Sequence, residues 1–194
     1  MNDRLAQVNH SDMDTCVTML EGLVERSPWV VRRALAARPF ATPEDIVAAL
    51  THEIRGADRA EKLSLIRAHS ELTGCAATAT DLTRESSAEQ DRLGLLDLAS
   101  DDLARLDRLN KAYRDKFGIP FIVALHRLPD LAAVLRNFET RLSNLPEQEQ
   151  DRALNEIIAV VQRRTLDFFA ERDRAQANAV LASHDGQTPK EQPE

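Results

Sequence analysis

Aromatic residues and glycine are scarce: aromatics make up 4% of the 194 residues and there are six glycines. β-Sandwiches and barrels lean on both, so an all-β architecture is disfavoured. Only two cysteines occur, Cys16 and Cys75, far apart, neither in a CxxC pair nor at ligand spacing from a histidine. That excludes a disulfide framework and a four-ligand zinc site, and free thiols in a reducing cytosol are expected. Long apolar runs are missing: a stretch such as Phe121-Ile122-Val123-Ala124-Leu125 is far short of the ~20 residues a membrane span requires. Met1-Asn2-Asp3-Arg4 leads into no apolar signal segment, and Glu191-Gln192-Pro193-Glu194 is no peroxisomal address, so a bacterial cytoplasm is the expected home. Positive charge is not in excess: 25 basic against 32 acidic residues give a net charge of −7. Nucleic acid is therefore not the expected partner, nor is a membrane surface bound through a basic amphipathic helix. GxGxxG, P-loop and GxSxG motifs are absent, as are a Glu three residues before any histidine and a histidine pair at i, i+4. No nucleotide or metal cofactor is expected.

The chain does contain dense helix punctuation. Hydrophobic residues are 43% and charged residues 29%, the balance of a globular protein with a real core. Ser11 is expected to cap a helix over 13–25, with Val17, Leu20 and Val24 inward. Ser27-Pro28 and Thr42-Pro43 read as cap-plus-proline starts, and Gly56 as a stop. A helix follows over 58–69. Residues 75–83 have no strong period and read as a loop or weak helix. Ser86-Ser87-Ala88-Glu89 matches a capping box, opening a helix that carries Leu93, Leu96 and Leu98. Further helices are expected from Ser100-Asp101, from Pro129, and from Pro146 to about Leu181, with Gly118 and Pro120 breaking the rhythm between the first two. Residues 185–194 read as a disordered polar tail. The sum is an all-α, irregular bundle of roughly eight helices in one domain over 1–184, with no strand and no repeat.

Three polar side chains fall where the helical period predicts apolar ones. His69 lies three residues after Ile66, Glu89 four before Leu93, and Arg164 three after Val161 and four before Phe168. Those offsets point inward. Burying an acid, a base and a cation costs several kcal/mol unless they meet partners, and one shared polar cleft would supply them. Each also has a plainer reading. His69 can be a hydrogen-bonded structural residue, Glu89 the N3 member of its own capping box, and Arg164, beside Arg163, a snorkelling surface side chain. Trp29 reads as a core anchor. On periodicity alone the chain is a helical domain, an interaction module as readily as an enzyme.

Four segments, in order, carry a resemblance. They are Glu25-Arg26-Ser27-Pro28-Trp29-Val30 with Ala36-Ala37-Arg38-Pro39-Phe40; Ile66-Arg67-Ala68-His69-Ser70-Glu71-Leu72-Thr73-Gly74; Ser86-Ser87-Ala88-Glu89-Gln90 with Gly94-Leu95; and Leu109-Asn110-Lys111-Ala112-Tyr113 through Phe117-Gly118-Ile119-Pro120-Phe121-Ile122. Together with Phe138-Glu139-Thr140-Arg141-Leu142-Ser143-Asn144 and the stretch from Glu156 to Arg164, they resemble the decarboxylases of 2-oxo-4-hydroxy-4-carboxy-5-ureidoimidazoline (OHCU) in urate degradation. The resemblance implies an all-helical, cofactor-free, commonly homodimeric enzyme that forms S-allantoin from a small ureidoimidazoline. It implies that His69 matches the catalytic histidine and that Glu89 and Gln90 match a substrate-contacting pair. Arg164 matches a substrate-binding arginine, and the backbone near Ile122 and Val123 faces the ligand. Ser70, next to the histidine, stands where the family motif His-Pro-x-Leu-x-Gly has proline, whose fixed φ would help hold the imidazole. A helical scaffold that kept the fold and lost the chemistry, or a relative with a shifted substrate, is the alternative that Ser70 keeps open.

Overall fold

Side-chain caps open most of the helices in the computed structural model, which describes residues 3–73 and 82–184. Thr42 caps the helix Pro43–Gly56 (α4): its hydroxyl accepts the Asp45 N–H at 3.2 Å, and the Asp45 carboxylate accepts the Thr42 N–H at 2.9 Å. Asp58 and Glu61 make the same reciprocal box at the start of Arg59–Ala68 (α5). Each such box satisfies donors that the first turn would otherwise leave bare. Pro28 opens Pro28–Ala34 (α3), and Asp130 caps Leu131–Arg141 (α8). Ser100–Phe117 (α7) stops at Gly118, whose φ of 66° is the left-handed conformation that glycine adopts without steric cost. Pro146 opens the long helix Pro146–His184 (α9).

Several expectations change. Met13–Leu20 (α2) is capped by Asp12, not Ser11, and stops five residues short of Glu25, giving way to a 3-10 turn at Glu21–Leu23. Gly22, a poor helix former, sits in that turn, and the chain bends so that Val24 and Glu25 both turn inward. Arg84–Asp91 (α6) is capped by Thr83, whose hydroxyl accepts the Ser86 N–H at 3.2 Å, so Ser86 and Glu89 are not a capping box. The helix also ends before Leu93, Leu96 and Leu98, which follow in turns around a left-handed Gly94. A short helix, Asp3–His10 (α1), was not anticipated; only Leu5 and Val8 are buried in it, too few to print a period. That makes nine α-helices and no β-strand among the described residues. The final helix runs on past Leu181 to His184. Trp29 is only half-buried, at the rim of the core with the Arg33 guanidinium over its ring. Cys16 is a buried free thiol. Cys75, the loop-or-weak-helix segment that contains it and the tail at 185–194 lie largely or wholly outside the described residues.

The core forms where α9 runs along α4 and touches α1, α5 and α7, with α3 laid on α4. Leu20, Ile46, Leu50, Ile54, Leu65 and Ile66 are fully buried there, as are Ile157 and Val161 from α9, each worth about 1.5–3 kcal/mol of transfer free energy. A second focus is aromatic. Phe121 and Phe138 stack at 3.7 Å, and Tyr113 meets both edge-on. Beside them Arg141 and Glu149, both buried, form an ion pair at 2.5 Å, and the Tyr113 hydroxyl donates to the same carboxylate. Removing one partner of such a pair strands the other charge. Glu149→Ala is expected to cost about 3–5 kcal/mol, read as a lower urea midpoint, whereas replacing the exposed Asp115 of the Lys111–Asp115 pair should change stability by less than about 1 kcal/mol.

Candidate active site

The end of α5 delivers His69. It is the residue at which the helix stops, in extended conformation, 8% exposed, with its N–H bonded to the Ile66 carbonyl. Its Nδ1 lies 2.9 Å from the Leu65 carbonyl. A carbonyl only accepts, so Nδ1 carries the hydrogen, and Nε2 is the nitrogen left for chemistry. Burial pushes the His69 pKa below its ordinary value, with the Arg164 charge in the same direction and the Glu25 and Glu89 carboxylates opposing.

Helix α6 supplies Ser86, Glu89 and Gln90, and α9 supplies Arg164. Arg164, 8% exposed, holds Glu89 through two bonds: Nε to one carboxylate oxygen at 2.7 Å and a terminal nitrogen to the other at 2.8 Å. It also donates to the Ser86 hydroxyl at 3.2 Å and to the Gly22 carbonyl at 3.3 Å. Burial works against its charge, but Glu89 and Glu25 outweigh that and hold its pKa up. Arg163, the other candidate, is exposed and pairs with Asp167.

The third wall is the stretch 121–125, irregular up to Ala124 and entering the 3-10 turn Leu125–Arg127 at its end. Its polar groups are held from behind: Arg141 donates to the Ile122 carbonyl at 2.7 Å, Glu156 accepts the Ala124 N–H at 2.9 Å, and Arg92 donates to the Leu125 carbonyl at 2.6 Å. Ile122 and Val123 are both buried and line the site.

These elements enclose a chamber of about 40 Å³, room for a few waters. His69, Ser70, Glu89, Gln90, Ile122, Val123 and Arg164 all line it, so the residues singled out from the sequence converge. On its other side the Glu89–Arg164 pair forms part of the wall of a wider cleft of about 850 Å³. Gln90 is partly committed: its amide nitrogen donates to the Glu71 carbonyl at 3.3 Å and its oxygen accepts the Thr73 N–H at 3.1 Å. One N–H and one lone pair remain to it.

Glu25 is the lining residue that the pattern did not single out. It is 3% exposed, accepts the Ser70 N–H at 3.1 Å, the Ser70 hydroxyl at 2.7 Å and the Ser86 hydroxyl at 2.5 Å, and lies 3.9 Å from Arg164. Burial works to raise its pKa, but the Ser86 bond, the His69 charge, the Ser70 bond and Arg164 together hold it below the ordinary carboxylate range. In the sequence it stands at the end of the helix expected over 13–25 and opens the first segment that carries the resemblance, with no inward offset to mark it. Among the described residues no group of three His, Cys, Asp or Glu side chains could hold a metal.

The family model described as OHCU decarboxylase matches residues 9–166. The 2-oxo-4-hydroxy-4-carboxy-5-ureidoimidazoline decarboxylase of Haloferax volcanii is 33% identical over 167 residues, 86% of this chain and 96% of that protein. The mouse protein of the same name is 34% identical over 165 residues, 85% of this chain and 92% of its own. The crystal structure of an (S)-allantoin synthase superposes with a TM-score of 0.64 at 25% identity, covering 84% of this chain and 53% of that one. A crystal structure of OHCU decarboxylase in the presence of (S)-allantoin shares the fold, with a TM-score of 0.63 at 16% identity over 82% of this chain and 99% of that one.

The environment of His69 sets a pH dependence. Because its folded pKa is lowered, the unfolded chain binds more protons in the window between that value and about 6.5. Stability therefore rises with pH through the window and is lost as pH falls through it. The ¹⁵N resonances of His69 are expected to titrate below pH ~6.5 with Nδ1 protonated throughout. His69→Asn should remove that part of the fall in urea midpoint on acidification.

Proposed function

Because the chain belongs to the OHCU decarboxylase family, we propose that it removes CO2 from 2-oxo-4-hydroxy-4-carboxy-5-ureidoimidazoline to give S-allantoin in urate degradation, with His69 as general acid/base. One observation carries the assignment of residues. An imidazole, a carboxylate and a guanidinium from three distant stretches of chain meet at one chamber.

The substrate bears its carboxylate on a ring carbon that also carries a hydroxyl and adjoins a ring C=N bond. When the bond to the carboxylate breaks, its electron pair forms a ring C=C bond and the C=N pair moves onto nitrogen, which takes a proton. The resulting enol gains a proton on the ureido-bearing carbon and loses one from its hydroxyl. The substrate is its own electron sink, so the protein's task is to bind, orient and move protons.

His69 suits the proton transfers. Lowered by burial, it is largely neutral at pH 7 with Nε2 as its free base, and Glu25 and Glu89 stabilise the imidazolium once a proton arrives. Delivery from one side of the ring makes a single enantiomer. Arg164 binds an anionic or carbonyl oxygen of the substrate. Four of its five N–H groups already have partners, so the substrate takes the remaining donor or displaces Glu89. Glu89 accepts from the substrate hydroxyl or ureido group, the remaining valences of Gln90 read the ureido end, and Ser70 and the backbone of Ile122 and Val123 close the opposite side. In the same reading the protein is a homodimer of one domain over 1–184, with a polar tail over 185–194, and acts in a bacterial cytoplasm. The resemblance supports the homodimer, and the polar composition of 185–194 supports the tail; among the described residues no helix is long and apolar enough to cross a membrane.

With freshly generated substrate, His69→Ala and Glu89→Ala are each expected to keep the helical circular dichroism of the parent and to lower the rate of allantoin formation by about 100-fold or more. Wild-type rate in either variant removes that residue from the mechanism. A wild-type protein that releases no CO2 removes the activity itself.

A further inference from the structure

His69 stands where regular structure stops. Its backbone, at φ −77° and ψ 143°, has left the helix, so helical hydrogen bonds no longer direct the chain beyond it. Beyond His69 the path is held by side chains. Gln90 takes Glu71 and Thr73, and Asn110 takes the Leu72 carbonyl at 2.8 Å. The first hold is the strongest in kind: both donors of Ser70 go to one oxygen of a buried, ionised Glu25, and bonds to a charged acceptor are roughly twice as strong as neutral ones. The other Glu25 oxygen takes Ser86 of α6 and lies near Arg164 of α9. One carboxylate thus ties together the three stretches that carry His69, Glu89 and Arg164. The turn that presents it contains Arg26 at φ 47°, a left-handed conformation that side chains other than glycine rarely adopt.

We propose that Glu25 and Ser70 are positioning residues for His69: by accepting the Ser70 N–H and hydroxyl, the Glu25 carboxylate clamps the end of α5 and sets the imidazole in register with Glu89 and Arg164. This deepens the decarboxylase reading and rests on it. The arrangement also fixes the charge around the histidine. The ionised groups facing it are Glu25 from the turn after α2, Glu89 from α6 and Arg164 from α9. With both carboxylates present, an imidazolium brings the four groups to neutrality; without Glu25 it leaves an excess positive charge.

The test uses the full chain as wild type, Glu25→Gln, Ser70→Ala and Ser70→Thr. Circular dichroism checks folding, CO2 release gives kcat and KM, and ¹⁵N NMR follows the His69 titration. Ser70→Ala is expected to lower kcat by about tenfold or more with KM within about threefold of wild type. Ser70→Thr, which keeps both donors, should restore kcat to within about threefold. Glu25→Gln should lower kcat and move the His69 titration to lower pH by about one pH unit, whereas the Ser70 variants leave that titration in place. A wild-type kcat in Ser70→Ala, or an unmoved His69 titration in folded Glu25→Gln, overturns the proposal. Should Glu25→Gln not fold, the contrast between Ser70→Ala and Ser70→Thr decides alone. If the wild type releases no CO2, the family reading fails, and the His69 titration still decides the coupling to Glu25.

Discussion

A guanidinium inside a helical bundle is tolerable only in company. Arg164 is buried against Glu89, Ser86, Gly22 and the nearby Glu25, and this cluster organises everything around the chamber. Taking such charges out of water costs several kcal/mol each, recovered only when geometry and hydrogen bonding are good. The cluster therefore constrains its neighbours. It needs the early break of α2, which brings Gly22 and Glu25 inward, and the start of α6 at Arg84, which turns Ser86 and Glu89 toward α9. A bundle built for stability alone would fill this space with leucine; polar groups here point to a ligand.

The opposite wall follows a different rule. Residues 121–124 lie outside helix and sheet, Leu125 opens the 3-10 turn Leu125–Arg127, and three side chains from separate elements tie this stretch down: Arg92, Arg141 and Glu156. Arg141 is itself pinned by Glu149 and lies over the Phe121 ring. The aromatic cluster thus extends the packed core up to the chamber's edge, and an irregular segment gains the rigidity that a site requires.

Much of this was legible from the chain. The cap-plus-proline start at Thr42-Pro43, the proline start at Pro28, where Ser27 makes no side-chain cap bond, and the Gly118 stop are local signals that tertiary structure had no reason to override. The inward offset of Arg164 was readable because a helix repeats its face every three to four residues; His69, one residue past α5, and Glu89, whose helix stops before Leu93, reach the chamber although their offsets are not carried by one continuous helix. The misreadings have local causes. Ser86-Ser87-Ala88-Glu89 fits a capping box, but Thr83 three residues earlier fits a cap as well, and with the helix started there the Ser86 N–H goes to the Thr83 hydroxyl and Glu89 stands in the middle of the helix, paired with Arg164. Glu25 was illegible because its partners, at Ser70, Ser86 and Arg164, lie 45 to 139 positions along the chain, and no period links them. Ser70 looked like a loss when set against a proline. In three dimensions it adds two donors that proline lacks, both bound to Glu25.

On α9 the anchor of the 121–125 segment, the floor of the chamber and its guanidinium are Glu156, Val160 and Arg164, spaced four apart. They share one face, and about 12 Å of helical rise separates the first from the last. The helix is thus a ruler as well as a scaffold. Point changes on its outer face leave the ruler intact, but one residue inserted between Glu156 and Arg164 would swing the cation by about 100° and break the spacing that sets one wall against the other. In this protein, then, length along a single helix is under tighter constraint than the identity of most residues on it.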